Sequence, residues 1–179
     1  MENAALKNML TRYSCREYLP DLIKEEELEA ILEAGTYAPT GKGLQAPVII
    51  AVTNKELRDR FVEENRLIMG APEGKDPFYG APIILAVLAD PAVAPNTYVQ
   101  DGACVCENLM LAAHSLGIGS CWIHRCKQEF ERDFGKDLLK ELGLPDTLVG
   151  IGHVGIGYPA KPAPEKRPAR KSGYVVRVK

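Results

Sequence analysis

A helix that is apolar almost all round most constrains how this chain can fold. Residues 99–117 read VQDGACVCENLMLAAHSLG, and their polar side chains fall in three pairs spaced seven residues apart. Seven residues make nearly two helical turns, so the pairs stack into one narrow stripe. A helix with so small a polar face needs neighbours on most sides, which suggests a second subunit. The three pairs are Gln100/Asp101, Glu107/Asn108 and His114/Ser115.

A short buried strand is predicted directly after this helix. Gly117 stands at the position where a left-handed residue usually ends a helix. Residues 119–123 then form an apolar run that holds the only tryptophan, Trp122. A buried helix that delivers the chain to a strand edge suits a ligand site, although these residues alone fit a plain core helix better.

Amphipathic helices and apolar strands account for most of the remaining chain. The predicted helices cover residues 3–11, 25–34 (ended by Gly35), 55–69 and 127–142. The predicted strands cover residues 47–53, 83–88 and 148–157, with residues 173–178 as a candidate terminal strand. The third of these strands is rich in glycine, which indicates that another element approaches its backbone. No repeat or linker divides the chain, so we expect one domain over residues 1–179.

The composition excludes several classes of protein. The chain has 179 residues and a formal net charge of −2, so its overall charge does not favour binding to nucleic acid or to a membrane surface. No apolar run reaches the length of a membrane span, and the N-terminal segment lacks the apolar stretch of a secretory signal. We therefore expect a cytoplasmic protein whose five cysteines are free thiols.

Metal or thiol chemistry is the weaker interpretation of those cysteines. Cys104 and Cys106 lie roughly 200° apart around the predicted helix, so they cannot share one ion. The three histidines are scattered along the chain, and we predict no metal site. Buried cysteines acting as small apolar residues are the simpler explanation. No Ser/His/Asp arrangement is recognisable either, so a cofactor would have to supply any redox chemistry.

Two basic segments are candidate phosphate sites. Arg12, Ser14 and Arg16 alternate, so an extended chain would point all three in one direction, with two guanidiniums flanking a hydroxyl. A solvated basic turn explains the same residues without a ligand. The tail after Tyr158 carries further cations, which support the first segment because a buried phosphate needs several. These cations are Lys161, Lys166, Arg167, Arg170, Lys171, Arg177 and Lys179.

Two loops are candidate ligand contacts. Residues 38–47 (APTGKGLQAP) are rich in residues that build tight turns and bring the backbone close to a ligand. Residues 70–80 (GAPEGKDPFYG) suit either a lid, in which Phe78 and Tyr79 cover a planar substrate, or a plain surface loop. The chain has no GxxxxGK[ST] motif, and its GxGxxG match at residues 150–155 lies in a predicted strand with no helix after it.

Three of these segments together resemble the FMN-dependent nitroreductase family over nearly the whole chain. Residues 12–16 (RYSCR) look like the family's R-x-S-x-R phosphate and ribityl site. Residues 38–45 (APTGKGLQ) look like its A-P-S-x-x-N-x-Q loop, and residues 101–123 like its central helix and the following strand. The chain departs from the pattern near the flavin ring: Gly43 replaces Asn, Ala46-Pro47 replaces Pro-Trp, and His124 stands where an acidic residue or glycine is common.

The resemblance implies an α+β fold, nitroreductase-like, with a mainly antiparallel sheet flanked by helices. It also implies an intertwined homodimer with FMN at the interface and C-terminal segments that cross to the partner. By resemblance, Arg12, Ser14 and Arg16 would hold the phosphate and ribityl groups, Pro39, Thr40 and Gly41 would line the flavin ring, and Gln45 would bind its polar edge. The backbone of Ile123 and His124 would lie near the hydride-accepting nitrogen. Arg170 and Lys171 would add positive charge at the phosphate, although Lys166 and Arg167 fit this role almost as well.

The implied activity is that of a flavin oxidoreductase. NADH or NADPH would deliver hydride to FMN and leave, and an electron-poor acceptor such as a nitroaromatic or a quinone would take its place in a ping-pong mechanism. The chemistry would lie with FMN, with no side chain as an obligatory acid. Two alternatives stay open: a flavin-storing or flavin-sensing protein on the same fold, and a redox protein based on thiols or a metal.

Overall fold

The computed structural model describes residues 3–165 and 168–178. Its elements agree with the predicted order, and the α+β fold class is confirmed. The helices are α1 (Ala4–Thr11), α2 (Glu25–Thr36), α3 (Lys55–Met69), α4 (Tyr98–Ser115), α5 (Cys126–Glu131) and α6 (Asp133–Glu141), and the strands are β1 (Pro47–Val52), β2 (Ile83–Ala89), β3 (Gly119–Ile123) and β4 (Val149–Gly157).

Three details differ from the sequence predictions. Gly35 does not end α2 but lies inside it, where an added Cβ would come within 2.6 Å of the Leu109 Cδ2 atom. The predicted helix over residues 127–142 is two helices, because Arg132 has an extended backbone with ψ of 167°. Residues 173–178 form no strand; they are exposed and pair with neither edge of the sheet within the chain.

The sheet has the strand order β1-β2-β4-β3, and every neighbouring pair is antiparallel. A bulge interrupts the pairing of β2 with β4, because Val87 pairs with Gly152 and Leu88 with Gly150. Ile151 is the extra residue, and its side chain packs against α4 at Gly102. An added Cβ at Gly102 would lie 2.6 Å from the Ile151 Cγ1 atom, so only glycine allows this approach.

Helices cover both faces of the sheet. Helices α2 and α4 pack on one face, where Leu85 and Ile156 meet Leu109 of α4. Helices α3, α5 and α6 pack on the other face, where Phe61 and Phe134 contact each other with ring centroids 4.9 Å apart. Strand β2 lies in the middle and is buried along its whole length.

The glycines of β4 confirm the predicted close approach of other elements. At each of four positions, an added Cβ would lie 3.0 Å or less from an atom of a different segment. At Gly152, for example, it would lie 2.3 Å from the indole nitrogen of Trp122. The other contacts are Gly150 with Cys126, Gly155 with Ala81 and Gly157 with Pro82.

The polar stripe predicted on α4 is only partly a solvent face. Asp101, Asn108 and His114 each form a hydrogen bond with a neighbouring segment, so one member of every pair attaches α4 to another part of the chain. Their partners are the Gly41 N–H (2.9 Å), the Ala34 carbonyl (3.0 Å) and the Thr11 hydroxyl (2.9 Å). The other members, Gln100, Glu107 and Ser115, are exposed. Within the described residues, no helix combines the length and hydropathy needed to cross a membrane.

Candidate functional site

The segment from Arg12 to Arg16 runs extended beside the start of β3, as its alternating pattern predicts. Ser14 forms a single parallel bridge with Ser120, and the Cys15 N–H donates to the Ser120 carbonyl at 2.8 Å. Cys15 is buried, Ser14 is half-buried and Arg16 is exposed. The segment therefore turns its apolar residue into the core and offers its polar residues to the surface beside β3.

The polar side chains of this segment lie beside β3. The Arg16 Nη1 atom donates to the Ser14 carbonyl at 3.5 Å. Burial raises the pKa of the Cys121 thiol, whereas the charge of Arg16, a hydrogen bond with Ser14 and the charge of Arg12 lower it. Arg12, Ser14 and Arg16 thus belong to one stretch of chain beside β3, and their joint contact with a phosphate stays a prediction.

Two buried polar atoms, one in this segment and one in β3, have no partner among the described residues. The Nε atom of Arg12 lies 3.8 Å from the Glu107 carboxylate, but its Nη1 atom is buried without an acceptor. The Ser120 hydroxyl is likewise buried and unpaired. An unsatisfied buried polar group costs about 1–3 kcal/mol, so each calls for a partner. Phosphate oxygens and sugar hydroxyls are groups that satisfy both.

The loop before β2 is organised differently from the predicted lid. Phe78 is fully buried in the core, so the expectation that it covers a substrate is wrong. Tyr79 is half-exposed, and the guanidinium carbon of Arg16 lies 5.7 Å from the centre of its ring. Asp76 holds the loop: its carboxylate accepts the Phe78 N–H at 2.7 Å and pairs with Arg58 of α3. Of these two aromatic residues, Tyr79 is therefore the one that lies beside the candidate site.

The second predicted segment, residues 39–45, lies at the start of α4. The Gly41 N–H donates to the Asp101 Oδ1 atom at 2.9 Å, and the Gln45 N–H donates to the Thr40 hydroxyl at 3.1 Å. Pro39 and Gln45 are exposed, and Thr40 and Gly41 are half-buried. The buried Asp101 carboxylate therefore fixes this loop by accepting the Gly41 N–H.

One chain does not bring the two segments together. Arg12 meets α4 at Glu107, whereas Gly41 meets it at Asp101. Six residues of helix correspond to about 9 Å of rise and to faces about 120° apart. No contact found among residues 3–165 and 168–178 joins Pro39, Thr40, Gly41 or Gln45 to the Arg12–Arg16 segment.

The outer edge of β3 continues the first segment. The Ser120 carbonyl faces outward to accept the Cys15 N–H, and backbone groups of alternate residues share an edge. The N–H and C=O groups of Trp122 therefore lie on the same edge, whereas those of Ile123 face β4, where Ile123 pairs with His153. Beyond Ser120, no described strand pairs with this edge. The predicted backbone contact at Ile123 is therefore turned into the sheet, and the contact at His124, which follows the strand, stays a prediction.

A buried polar network that the sequence did not reveal lies behind this backbone. Asn65 of α3, Glu129 of α5 and His153 of β4 are fully buried. The Asn65 Nδ2 atom donates to the His124 carbonyl at 3.0 Å and to Glu129, whose other oxygen lies 2.6 Å from the His153 Nε2 atom. The Arg125 Nε atom donates to the Asn65 Oδ1 atom at 2.9 Å. These residues are far apart in sequence, so no local pattern linked them.

The C-terminal tail contributes no contact to this site within the described residues. Arg170 and Lys171 are exposed, and their assignment to the phosphate stays a prediction. The Lys161 Nζ atom lies 2.6 Å from the Glu17 carboxylate, one residue after the Arg12–Arg16 segment. Arg177 is exposed as well, and the other tail cations considered, Lys166, Arg167 and Lys179, lie outside the described residues.

Comparison with known proteins identifies the same fold and family. The nitroreductase family model matches residues 9–158. A provisionally named NADH dehydrogenase/NAD(P)H nitroreductase of Archaeoglobus fulgidus is 34% identical over 157 residues, which are 86% of this chain and 84% of that protein. The crystal structure of a nitroreductase with bound FMN from Bacteroides fragilis is 32% identical with a TM-score of 0.86, over 99% of this chain and 100% of that one. An FMN-bound nitroreductase from Desulfitobacterium hafniense is 29% identical with a TM-score of 0.87, over 100% of both chains.

Proposed function

The chain belongs to the nitroreductase family, and from that premise we propose an FMN-dependent oxidoreductase that uses NADH or NADPH to reduce electron-poor acceptors such as nitroaromatics and quinones. The names of its relatives and the FMN bound in similar structures support an enzyme of this type. The observation in this chain that carries the proposal is the Nη1 atom of Arg12, which is buried without a partner among the described residues and belongs to the same extended segment as Ser14 and Arg16.

The residues around β3 fit the polar half of FMN. A phosphate offers only acceptors at neutral pH, and the Arg12 and Arg16 guanidiniums offer only donors. The hydroxyls of Ser14 and Ser120 both donate and accept, which suits the ribityl chain. The buried groups that cost free energy when unpaired are thus the groups that FMN would satisfy.

The protein would bind and orient the reactants, and bound FMN would supply the redox chemistry by accepting hydride from the nicotinamide and passing it on. Arg12 and Arg16 would hold the phosphate, and the outer edge of β3, followed by the His124 backbone, would face the ring. We assign no side chain as an obligatory acid. NAD(P)H and the acceptor would occupy one place in turn, which gives a ping-pong mechanism and relies on orientation rather than acid catalysis.

We further propose that a second copy of the chain completes the site. A single chain keeps residues 39–45 away from the Arg12–Arg16 segment, so another chain has to bring such a loop to it. Helix α1 leaves Met9 and Leu10 more than half exposed, and the tail does the same with Val176 and Val178. Sedimentation at micromolar concentration should show a dimer. A folded monomer that binds FMN with full affinity would contradict this part of the proposal.

The affinity for FMN tests the site directly. A charge-assisted hydrogen bond contributes about 1.5–3 kcal/mol, so Arg12→Ala and Arg16→Ala should each weaken FMN binding by roughly ten- to a hundredfold. Arg60→Ala is the matched control, because Arg60 is an exposed cation of α3 that stacks on Phe134. Flavin fluorescence quenching measures the three dissociation constants. Changes below about threefold at both Arg12 and Arg16 would remove them from the phosphate site.

The two alternatives predict different results with the same protein. Anaerobic NADH or NADPH should bleach the flavin absorbance of an enzyme, and a nitroaromatic should restore it. Stable colour would favour flavin storage or sensing instead. Thiol chemistry has little support, because burial raises the pKa of Cys106 to about 12 and also raises that of Cys126, which disfavours the reactive thiolate.

A further inference from the structure

We infer that Asn65, supported by Glu129 and His153, is a positioning residue that fixes the His124 backbone beside the flavin. This role presupposes the proposed function, since that function assigns the outer edge of β3 to the flavin ring. The Asn65 side chain touches no part of the surface itself, because it is fully buried. It acts through the carbonyl of His124, to which it donates at 3.0 Å.

The partners of Asn65 leave its amide one orientation. The Arg125 Nε–H only donates, so the atom that it meets at 2.9 Å must be the amide oxygen. The Glu129 carboxylate and the His124 carbonyl only accept, so both must meet the amide nitrogen. Rotating this side chain would break all three hydrogen bonds. Asn65 is therefore a rigid link between three segments of the chain.

Glu129 and His153 make that link rigid in turn. One Glu129 oxygen accepts from Asn65, and the other lies 2.6 Å from the His153 Nε2 atom. The His153 ring is held edge-on between Phe61 and Phe78, with centroids 5.6 and 5.3 Å away. Its Nδ1 atom is buried and has no partner in the part of the chain that the structure describes, so a proton on Nε2, towards Glu129, leaves no buried N–H unpaired.

The network holds a strained turn next to the proposed flavin edge. Arg125 lies two residues after the end of β3 with φ of 81°, a left-handed conformation that strains a residue other than glycine. The same amide of Asn65 binds the carbonyl before this residue and the side chain of the residue itself. Without Asn65, the turn would relax and the His124 backbone would lose its fixed direction. Pre-organised groups of this kind orient a reactant without reorganisation.

Buried polar networks also occur as purely structural features, and the flavin distinguishes the two roles. A structural network changes only the stability of the fold when it is broken. A positioning network also changes how the folded protein binds FMN and how it discriminates between oxidised and reduced FMN.

Asn65→Leu, which keeps a similar side-chain size and removes the three hydrogen bonds, is the test. Leu138→Ala is the matched control, because Leu138 is a buried residue of the same sheet face that lies outside the network. Thermal denaturation without FMN gives the stability of each variant, and titrations with oxidised and reduced FMN give the dissociation constants. Both variants should be less stable than the parent. Only Asn65→Leu should weaken oxidised FMN binding at least fivefold and change the ratio of the two constants by five- to tenfold, where tenfold equals about 30 mV for two electrons.

Every result of these measurements either supports or overturns the positioning role of Asn65. If Asn65→Leu behaves as Leu138→Ala does, with both flavin quantities within twofold of the parent, the positioning role is overturned while the proposed function stands. A parent protein that binds no FMN overturns the proposed function and this role with it. If Asn65→Leu does not fold, Arg125→Met decides: it removes the donor to the Asn65 oxygen and should weaken FMN binding about threefold, and parent-like binding would overturn the role.

Discussion

Two segments that we assign to one site are fixed by different forces. Residues 13–19 are attached to the sheet mainly by their own backbone. The Cys15 N–H donates to Ser120 at 2.8 Å, and the Leu19 N–H donates to Tyr158 at 2.9 Å. Hydrogen bonds of this kind do not depend on which side chains the segment carries.

Residues 40–45 depend instead on one carboxylate and tolerate strain. Asp101 is the side chain from α4 that accepts the Gly41 N–H, and it also accepts the Thr97 hydroxyl. Lys42 and Gln45 have φ values of 55° and 53°, in the left-handed region that residues other than glycine rarely adopt. A loop held in this way is easily altered by a single substitution.

The difference indicates where this family member is free to change. Residues 12, 14 and 16 can present different polar groups without loss of the segment's attachment. The loop cannot move independently of Asp101. Gly43 within it has open space around an added Cβ, but its φ of 68° would strain any other residue there. That position departs from the family pattern, and it lies in the segment that we assign to the flavin ring. We therefore expect acceptor preference to vary with this loop.

The largest expected effect comes from Asp101→Ala. The variant loses a charged acceptor of two hydrogen bonds, and the positive end of α4 loses its buried carboxylate, so the free energy of unfolding should fall by about 2–4 kcal/mol. Urea denaturation measures this loss. Asp101→Asn, which keeps an acceptor oxygen, should lose less. Equal stability of the alanine variant and the parent would show that the loop has another anchor.

Tyr18→Phe should have a smaller effect, which tests the backbone attachment of residues 13–19. The Tyr18 hydroxyl donates to the Cys15 carbonyl at 2.9 Å and lies 3.2 Å from the Gly155 carbonyl. Burial raises the pKa of this hydroxyl, so it stays a donor at neutral pH. Its loss should cost about 0.5–1.5 kcal/mol, while the Cys15 amide should keep its protection from hydrogen exchange. Loss of that protection would show that a side chain, not the backbone, holds the segment.

Lys42→Gly should stabilise the protein slightly. Removal of left-handed strain should raise the free energy of unfolding by about 1–2 kcal/mol, and the greater conformational freedom of glycine in the unfolded chain should lower it by about 0.5–1 kcal/mol. The net gain should be at most about 1.5 kcal/mol, seen as a higher melting temperature. Lys42→Ala removes the same charge without relieving the strain and should show no gain. Equal melting temperatures for the two variants would mean that the loop is not strained at this residue.

The smallest expected effect is a pH dependence at Tyr158, whose carbonyl accepts the Leu19 N–H. Its hydroxyl lies 2.6 Å from the Glu27 carboxylate, and this hydrogen bond lowers the pKa of Glu27. A carboxyl whose pKa is lowered on folding stabilises the protein above its unfolded pKa and loses that contribution as the pH falls through the folded value. Tyr158→Phe should therefore melt below the parent at pH 7, and the gap should close towards pH 3. A gap that does not depend on pH would contradict this.

The sequence predicted the parts of this structure that follow local periodicity. Helix and strand types were correct except at residues 173–178, which form no strand. The alternation of residues 12–16 agrees with a segment that buries Cys15 and leaves Ser14 half-buried and Arg16 exposed. The helix pattern placed Asp101 in the polar stripe but could not show that the loop at Gly41 folds back to donate to its carboxylate. The fully buried position of Phe78 and the network of Asn65 were missed for the same reason: both depend on segments that only the folded chain brings together.

The glycines of β4 have a consequence for how this protein can be evolved or redesigned. Four residues of one nine-residue strand each set the spacing to a different neighbour: α5, β3, and two points of the segment before β2. A single methyl group at any of them would push one neighbour away, and a cavity elsewhere could not compensate for it. In a saturation library, positions 150, 152, 155 and 157 should therefore accept almost nothing. Random mutagenesis aimed at new acceptors should spare this strand and concentrate on the exposed Lys42, Leu44 and Gln45. Gly41 should be left unchanged, because an added Cβ there would lie 2.4 Å from the Thr97 hydroxyl.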